Sequence, residues 1–283
     1  MIELYKEPMS EHTTFKMGGP VDCLLIPESE AELVETVKVF QAAGKPYRLL
    51  GNGSNILASD EGLKGTVIKT TRACMDLELA GERRVYAGAS VKVQPFARFC
   101  INHNLEGLEY LYSVPATIGG AVFMNAGRGK TKQQQLSDHV ESVRVFDGQR
   151  IFNLDKKDCA FRYRHSIFHH KRDWVILGAV FLLPAQDKEI GERKLRERME
   201  FIKKFQDHKA ASSGSIFKSG RNRVYRWVQG WKCGDAEFSA KATNWINNNG
   251  NAKMKDVMKL IRYAKLLNLL LFKRARVEIE IWK

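Results

Sequence analysis

The stretch YRLLGNGSNILAS, residues Tyr47–Ser59, contains the feature on which the fold assignment depends. The apolar segment Tyr47–Leu50 predicts a strand, and apolar residues return at Ile56, but five small polar residues, Gly51–Asn55, lie between them. A surface turn explains this interruption, and so does a loop that lies against a flat or charged group. Small residues leave the backbone N–H groups accessible to such a group. Both interpretations fit this stretch taken alone.

A second glycine-bearing stretch, SVPATIGGAVFMNAG, covers Ser113–Gly127. Pro115 fixes a turn, and Gly119–Gly120 allow either a close backbone approach or a positive φ. Asn125–Gly127 again offer accessible amides. Two such stretches, each flanked by an apolar strand, fit the pyrophosphate of a cofactor. Neither has the GxGxxG or GxxxxGK[ST] spacing, which excludes the Rossmann and P-loop motifs.

Composition restricts the possible protein classes. The chain has 283 residues, of which 44% are hydrophobic and 28% charged, as expected for one large or two ordinary globular domains. Its five cysteines are scattered, which argues against a disulfide framework and a cysteine-based zinc site. The N-terminal residues do not resemble a signal peptide, and the longest apolar run, Leu266–Phe272, is too short to span a bilayer. We therefore expect a cytoplasmic protein without membrane insertion.

The net charge of +14 favours an anionic partner, which could be nucleic acid, anionic lipid or a phosphorylated small molecule. The basic residues are dispersed, and no DNA- or RNA-binding motif is present. We therefore expect no nucleic-acid partner, and the charge alone does not choose between an anionic lipid and a phosphorylated small molecule.

Hydrophobic periodicity predicts an α+β fold in two unequal parts, divided near residue 190. A capping box, Ser29–Glu32, opens a helix that ends near Gly44, and a Ser/Gly turn is expected after residue 208. Further helices are predicted at Gln94–Asn104, Asp187–His208 and about Lys253–Leu267, and strands at Thr66–Thr70, Val85–Gly88, Val140–Phe146, Trp174–Leu183 and Arg276–Trp282.

Several motifs occur in a characteristic order. After GNGSN and PATIGGAVFMNAG come FRYRHSIF (Phe161–Phe168), SSGSIFKS (Ser212–Ser219) and SAKATNWINNNGNA (Ser239–Ala252), and HTTFKMGGP (His12–Pro20) precedes them all. This ordered set, which spans nearly the whole chain, resembles the UDP-N-acetylenolpyruvoylglucosamine reductase family in its compact form.

The resemblance implies a vanillyl-alcohol-oxidase/PCMH-type FAD-binding domain plus a smaller α/β substrate-binding domain. It places the FAD-binding region at residues 1–188, with subdomains of about 1–65 and 66–188, and the substrate-binding domain at 189–283. The implied activity is reduction of UDP-N-acetylglucosamine enolpyruvate to UDP-N-acetylmuramate in peptidoglycan precursor synthesis. FAD would be the cofactor, NADPH the reductant and the UDP-sugar the small-molecule partner.

The resemblance also implies roles for individual residues. Arg164 would stabilise the enolate-like species, and Ser215 would donate the proton to C2. Tyr163, Lys218 and Asn244 would bind the substrate. The FAD-binding residues would be Gly51, Asn52, Gly53, Ser54, Asn55, Pro115, Ala116, Thr117, Gly119, Gly120, Asn125, Ala126 and Gly127.

The family has a catalytic glutamate near its C-terminus, and here the corresponding segment reads LLLFKRARVEIEIWK. A gapless comparison puts Arg276 at the glutamate position, whereas a shift of two or four residues puts Glu278 or Glu280 there. In one continuous strand the three side chains would face the same side. We take Glu278 as the catalytic candidate and keep Glu280 and Arg276 as alternatives.

Other positions depart from the family pattern. The loop Arg128–Gln135 replaces an expected Ala-Tyr-Gly-Gly-Glu and is cationic, and Lys241–Thr243 replaces Lys-His-Ala. The altered C-terminal strand motivates an alternative, an FAD-binding relative that has lost the reaction or acts on another nucleotide-sugar. His165, His169 and His170 lie close in sequence but lack a defined ligand set, so no metal site is predicted.

Overall fold

The computed structural model describes residues 1–128, 134–207 and 210–283. Helices and strands are mixed along the chain, which confirms the predicted α+β class. The helices are α1 (Glu30–Ala42), α2 (Val93–Asn102), α3 (Ile118–Phe123), α4 (Lys188–Phe205), α5 (Asn222–Trp227) and α6 (Met254–Leu270). The strands are β1 (Ile2–Pro8), β2 (Pro20–Ile26), β3 (Tyr47–Leu50), β4 (Ile56–Ala58), β5 (Leu63–Lys69), β6 (Leu77–Leu79), β7 (Arg84–Gly88), β8 (Gly127–Arg128), β9 (Gln134–Gln135), β10 (Val140–Phe146), β11 (Ile151–Asp155), β12 (Val175–Leu182), β13 (Ala211–Ser215), β14 (Phe217–Ser219), β15 (Lys232–Cys233), β16 (Ala236–Phe238), β17 (Trp245–Asn248), β18 (Arg276–Val277) and β19 (Glu280–Trp282).

The chain divides into two compact units, each of which is built from three separate stretches of sequence. Unit 1 comprises Met1–Leu4, Leu24–Asn52 and Thr66–Glu200, and unit 2 comprises Tyr5–Cys23, Gly53–Gly65 and Phe201–Lys283. Unit 2 includes N-terminal segments because β4 pairs in parallel with β19, with Ile56 opposite Glu280. A pairing of strands so far apart in sequence leaves no local pattern from which to predict it.

Unit 1 is built on a five-stranded sheet with the order β11-β10-β12-β7-β6, in which neighbouring strands are antiparallel. Helix α2 buries Val93, Phe96, Ala97, Cys100 and Ile101, and Val93, Phe96 and Cys100 belong to the apolar cluster that includes residues of this sheet. Their spacing places them on one face of the helix. The rings of Phe96 and Phe181 lie 4.8 Å apart at the centre of this core.

The first helix begins as its sequence predicts. The Ser29 side chain accepts a hydrogen bond from the Glu32 amide at 3.2 Å and caps α1. The helix ends at Ala42, just before Gly44, which has a φ of +60°. The next strand, β3, pairs in parallel with β5, and the sheet that contains them has the order β1-β2-β5-β3.

Unit 2 has a four-stranded sheet with the order β13-β17-β16-β15. Helix α6 contributes Val257, Leu260, Ile261 and Ala264 to the apolar cluster of this unit. A short ribbon of β14 and β18 adds Phe217, whose ring stacks on Tyr225 at 5.0 Å.

Two predictions about the C-terminal half are wrong. The expected strand Arg276–Trp282 consists of two pieces, β18 and β19, separated at Glu278 and Ile279. The first piece pairs with β14 and the second with β4, so the three candidate positions do not belong to one pleated strand. The expected Ser/Gly turn is instead strand β13, in which Gly214, with a φ of +75°, absorbs a shift in register.

Two other segments differ in part from expectation. The predicted helix Asp187–His208 is α4, Lys188–Phe205, and His208 lies outside the described residues. Within the second glycine-bearing stretch, Ile118–Phe123 form α3, a helix that is not among those predicted from the sequence.

Candidate active site

The glycine-rich turn Gly51–Asn55 contains a run of backbone N–H groups that the protein leaves unpaired among the described residues. Within the described parts of the chain, the four amides from Gly51 to Ser54 donate no hydrogen bond to protein atoms. Gly53 has a φ of +64°, and a Cβ there would lie 2.1 Å from the His12 carbonyl oxygen, so glycine is required. Consecutive unpaired amides favour an anion. This turn therefore fits a phosphate group.

Two asparagine side chains of the turn stabilise backbone segments. In unit 1, Asn52 Nδ2 donates to the Pro115 carbonyl oxygen at 2.7 Å. In unit 2, Asn55 Nδ2 donates to the Glu278 carbonyl oxygen at 3.2 Å, and the Asn55 carbonyl oxygen accepts from the Glu280 amide at 2.9 Å. These amides thus fix the conformation of the turn.

The segment Pro115–Gly120 offers fewer free amides than its sequence predicts. The Gly119 amide donates to the Ala89 carbonyl oxygen at 2.9 Å, and the Gly120 amide donates to the Thr117 hydroxyl at 3.3 Å. Gly119 allows its backbone to lie close to Ala89, because a Cβ on Gly119 would lie 3.0 Å from the Ala89 Cβ. This segment fits a cofactor through small side chains and the Thr117 hydroxyl.

Asn125 is a buried hub of unit 1, with 1% of its surface exposed and a φ of +43°. Its Nδ2 donates to Gln135 Oε1 and to the Arg162 carbonyl oxygen, both at 3.0 Å. Its Oδ1 accepts from the Ser137 amide at 3.0 Å. The side chain therefore holds three segments together, and the cofactor contacts expected of Asn125, Ala126 and Gly127 stay predictions.

Arg164 occupies a tight turn in which the backbones of Arg162 and His165 exchange two hydrogen bonds. Its φ is +52°, a conformation unfavourable for a residue with a Cβ. Its guanidinium group donates to the carbonyl oxygens of Gly127 at 2.6 Å and Asn125 at 3.4 Å. Such strain persists where the surroundings enforce it, often at functional sites. The turn presents the half-buried guanidinium in a fixed orientation.

Ser215 ends β13 and is exposed. Its hydroxyl makes no hydrogen bond to any described residue. The two residues after it are held by Asn244. The Asn244 carbonyl accepts from the Ile216 amide at 2.9 Å, and its side chain exchanges hydrogen bonds of 3.1 and 2.8 Å with the Phe217 backbone. Asn244 therefore positions the backbone of Ile216 and Phe217, and its contact with the substrate stays a prediction.

The three candidates for the C-terminal glutamate position have their backbones paired with three different parts of unit 2. The Glu278 amide donates to the Ile216 carbonyl oxygen at 2.8 Å, directly after Ser215 in the chain. Arg276 is paired with Ser219, further along β14. Glu280 pairs with Ile56 on β4. Of the three, Glu278 has the backbone hydrogen bond that lies nearest to Ser215 along the chain.

Lys218 lies in the middle of β14 with its side chain half-buried. Its ammonium group forms no ion pair or hydrogen bond with the part of the chain that the structure describes. A partly desolvated cation of this kind favours an anionic ligand. In unit 1, the Tyr163 ring lies 5.1 Å from the Arg164 guanidinium carbon, within the range of a cation–π contact.

Comparisons with known proteins identify the family. Residues 21–149 match a family model described as FAD binding domain. The UDP-N-acetylenolpyruvoylglucosamine reductase of Halalkalibacterium halodurans is 35% identical over 267 residues, which cover 92% of this chain and 87% of that protein. The enzyme of the same name from Bacillus subtilis is 34% identical over 268 residues, with coverages of 93% and 88%. The chain belongs to the UDP-N-acetylenolpyruvoylglucosamine reductase family.

A solved structure supports the same family at the level of the fold. The crystal structure of the reductase from Thermus caldophilus matches with a TM-score of 0.82 and 30% sequence identity. The match covers 100% of this chain and 98% of that one. The predicted FAD-binding domain and the predicted family are therefore confirmed, and this member is a flavoprotein.

The loop that departs from the reductase family pattern is partly described. Gly127–Arg128 form β8, which pairs with β9 at Gln134–Gln135, whereas the predicted cationic residues 129–133 lie outside the described residues. Arg198 on α4 donates to the Ser113 hydroxyl at 2.6 Å. Burial and the nearby positive charge of Arg128 lower the pKa of Arg198 to about 10. The motifs gave no indication of Arg198, because it lies on an ordinary amphipathic helix.

Three histidines that lie close in sequence, His165, His169 and His170, also lie close in the structure. The His165 and His169 rings lie 4.8 Å apart, and His169 stacks on Phe123 at 4.3 Å. Among residues 1–128, 134–207 and 210–283, no three His, Cys, Asp or Glu side chains are placed to hold a metal ion. Over the same residues, no helix is long and apolar enough to cross a membrane.

Proposed function

We propose that the protein catalyses the NADPH-dependent reduction of UDP-N-acetylglucosamine enolpyruvate to UDP-N-acetylmuramate, with FAD as its cofactor. The observation that carries this proposal is the hydrogen bond between the Glu278 amide and the Ile216 carbonyl oxygen. It joins the backbone of Glu278 to Ile216, the residue that follows the exposed Ser215. The family relatives bear the name of this reaction.

The FAD-binding region is proposed to be residues 1–188 and the substrate-binding region residues 189–283. The amides from Gly51 to Ser54 would hold the pyrophosphate, since they have no protein acceptor among the described residues. Thr117, Gly119 and Gly120 would pack against the cofactor because they present little bulk. Bound FAD supplies hydride transfer, with NADPH as the source of the hydride.

Proton delivery is assigned to Ser215. Its hydroxyl would give a proton to C2 of the enolpyruvyl group, which requires close positioning because serine is a weak acid. The Asn244 hydrogen bonds to the Phe217 backbone support that positioning. Glu278 would return a proton to Ser215 Oγ.

Charge stabilisation is assigned to two cations. Protonation at C2 proceeds through an enolate-like species, in which negative charge builds on the substrate carboxylate. The Arg164 guanidinium would stabilise that charge with hydrogen bonds preorganised by its constrained turn. Lys218 would contact a UDP phosphate, and Tyr163 would contact the substrate beside Arg164.

Mass spectrometry of the product tests the proposal. The protein, loaded with FAD, is incubated in D₂O with NADPH and the enolpyruvyl substrate, and a reaction without NADPH is the control. The proposal predicts UDP-N-acetylmuramate with deuterium at C2, because the hydroxyl hydrogen of Ser215 exchanges with solvent before it is transferred to C2. A protein that binds FAD but forms no muramate would instead favour a relative acting on another nucleotide-sugar.

A further inference from the structure

The C-terminal end of α6 carries the most exposed group of large apolar side chains in unit 2. Leu266, Leu269, Leu270 and Phe272 are 54, 64, 65 and 96% exposed. None of the four belongs to the packed apolar cluster of the unit. We call these four residues the apolar tip. Contiguous exposed apolar groups of this kind mark interaction sites.

The apolar tip is not explained by the packing of α6. The helix buries Val257, Leu260, Ile261 and Ala264 on one face. A rotation of about 100° per residue places Leu266, Leu269 and Leu270 on the opposite face. The N-terminal part of that outer face carries Lys255, Lys259 and Arg262, as a solvated face normally does.

The backbone holds the tip in a defined conformation. Phe272 has a φ of +55°, and its amide donates to the Leu269 carbonyl oxygen at 2.8 Å. The Lys273 amide donates to the Asn268 carbonyl oxygen at 2.9 Å. The fully buried Asn268 side chain accepts from the Arg221 amide at 2.7 Å. The exposure of Phe272 is therefore a feature of an ordered turn.

Basic residues surround the tip. The stretch from Val257 to Val277 contains six lysines and arginines and no acidic residue. Lys265, Lys273 and Arg274 are exposed beside the tip. Arg221 is also exposed there, with its Nε donating to the Leu271 carbonyl oxygen at 3.0 Å. We call Arg221, Lys265, Lys273 and Arg274 the basic collar.

We propose that the apolar tip and the basic collar bind the surface of membranes that contain anionic phospholipids. Apolar side chains enter the boundary between headgroups and acyl chains, while lysines and arginines contact the anionic headgroups. A second copy of the chain suits the surface less well, because a twofold contact would bring two basic collars together. This peripheral binding is separate from the proposed reductase activity.

Vesicle sedimentation with the full-length protein tests the proposal. Vesicles of phosphatidylcholine mixed with phosphatidylglycerol are compared with vesicles of phosphatidylcholine alone, at low and high salt. The wild-type protein should bind the mixed vesicles, and added salt should weaken binding because headgroup attraction is screened. No binding to the mixed vesicles at low salt would overturn the proposal.

Variants separate the apolar and basic contributions. The triple change Leu269→Ser, Leu270→Ser, Phe272→Ser should weaken partitioning on the order of a hundredfold, because about three large apolar side chains lose their burial. Val39→Ser is the control, since Val39 is 55% exposed but lies on α1 in unit 1. It should leave binding unchanged.

The double change Lys273→Gln, Arg274→Gln should weaken binding about tenfold or more. Lys255→Gln, Lys259→Gln removes the same charge further from the tip and should have the smaller effect. Full binding by the triple variant would overturn the proposal. The proposal would also be overturned if sedimentation velocity showed a dimer of the wild-type protein that the triple variant does not form. The apolar tip would then be an interface between two copies of the chain.

Discussion

Glu278 donates its backbone N–H to the carbonyl oxygen of Ile216 at 2.8 Å, so this glutamate adjoins the residue that follows Ser215. Its own carbonyl oxygen accepts from Asn55 Nδ2 at 3.2 Å. The backbone of Glu278 is thus fixed on both sides. A carboxyl group held in this way can serve a proton transfer, because such steps depend first on geometry.

The first prediction distinguishes the two C-terminal glutamates. Glu278→Gln should slow enolpyruvyl reduction by about a hundredfold, since the amide cannot transfer a proton. Glu280→Gln, the matched control, should leave the rate within about twofold, because Glu280 pairs with Ile56 instead. Steady-state assays give both rates. If only Glu280→Gln lowered the rate of reduction, Glu280 and not Glu278 would be the catalytic acid.

Ser215→Ala should lower the rate of enolpyruvyl reduction by about two to four orders of magnitude, because the proton donor at C2 is removed. Reduction of the flavin by NADPH should keep its wild-type rate. Ser213→Ala is the control, since Ser213 lies on the same strand but is buried. Equal losses in the two variants, measured by stopped-flow absorbance, would point to disruption of the strand.

Replacing Arg164 by lysine keeps the charge but removes the planar set of donors. Arg164→Lys should lower kcat for enolpyruvyl reduction by about tenfold or more while FAD binding is retained. Arg162→Lys provides the control, because Arg162 is an exposed residue of the same turn. An unchanged kcat for Arg164→Lys would show that the fork geometry of Arg164 does not contribute to the reaction.

Asn244 should matter for stability as well as rate. Asn244→Gly tolerates the φ of +69° but removes both side-chain hydrogen bonds to Phe217. We expect a loss of about 1–3 kcal/mol in the free energy of unfolding, measured with urea, together with a lower kcat. The exposed Asn251 serves as the control, with Asn251→Gly expected to have little effect. A KM change alone, at full stability, would instead indicate a substrate contact.

The thiols should react in an order set by their burial. Burial raises the pKa of Cys74 and of Cys159 to about 12 and also raises the pKa of Cys100. At pH 8 these three hold little thiolate, so a disulfide reagent should label the half-buried Cys23 and Cys233 first. Peptide mapping after brief labelling identifies the sites. Denatured protein, in which all five thiols should react, is the control.

Local features of the fold could be predicted because they depend on neighbouring residues. The capping residue Ser29, the turn at Gly44 and the apolar face of α2 each act within one or two turns of helix. The two glycine-bearing stretches were also identifiable, because positive φ and close approach restrict the residue type. Gly53 and Gly119 illustrate these two requirements.

Features that depend on distant partners could not be predicted. The continuous strand expected at Arg276–Trp282 is broken because its ends pair with β14 and β4, which lie far apart in sequence. Asn244 matched a motif, yet the sequence could not show that its amide bonds to Phe217. The same is true of Asn125, whose side-chain amide is hydrogen-bonded to three residues in two other segments.

The most direct test of the proposed function is an anaerobic two-step experiment. The FAD-loaded protein is reduced with NADPH, the enolpyruvyl substrate is added, and flavin absorbance is followed. We predict rapid reoxidation by the wild-type protein and slow reoxidation by the Ser215→Ala variant. A wild-type flavin that binds and is reduced but is not reoxidised by this substrate would contradict the assignment as a UDP-N-acetylenolpyruvoylglucosamine reductase.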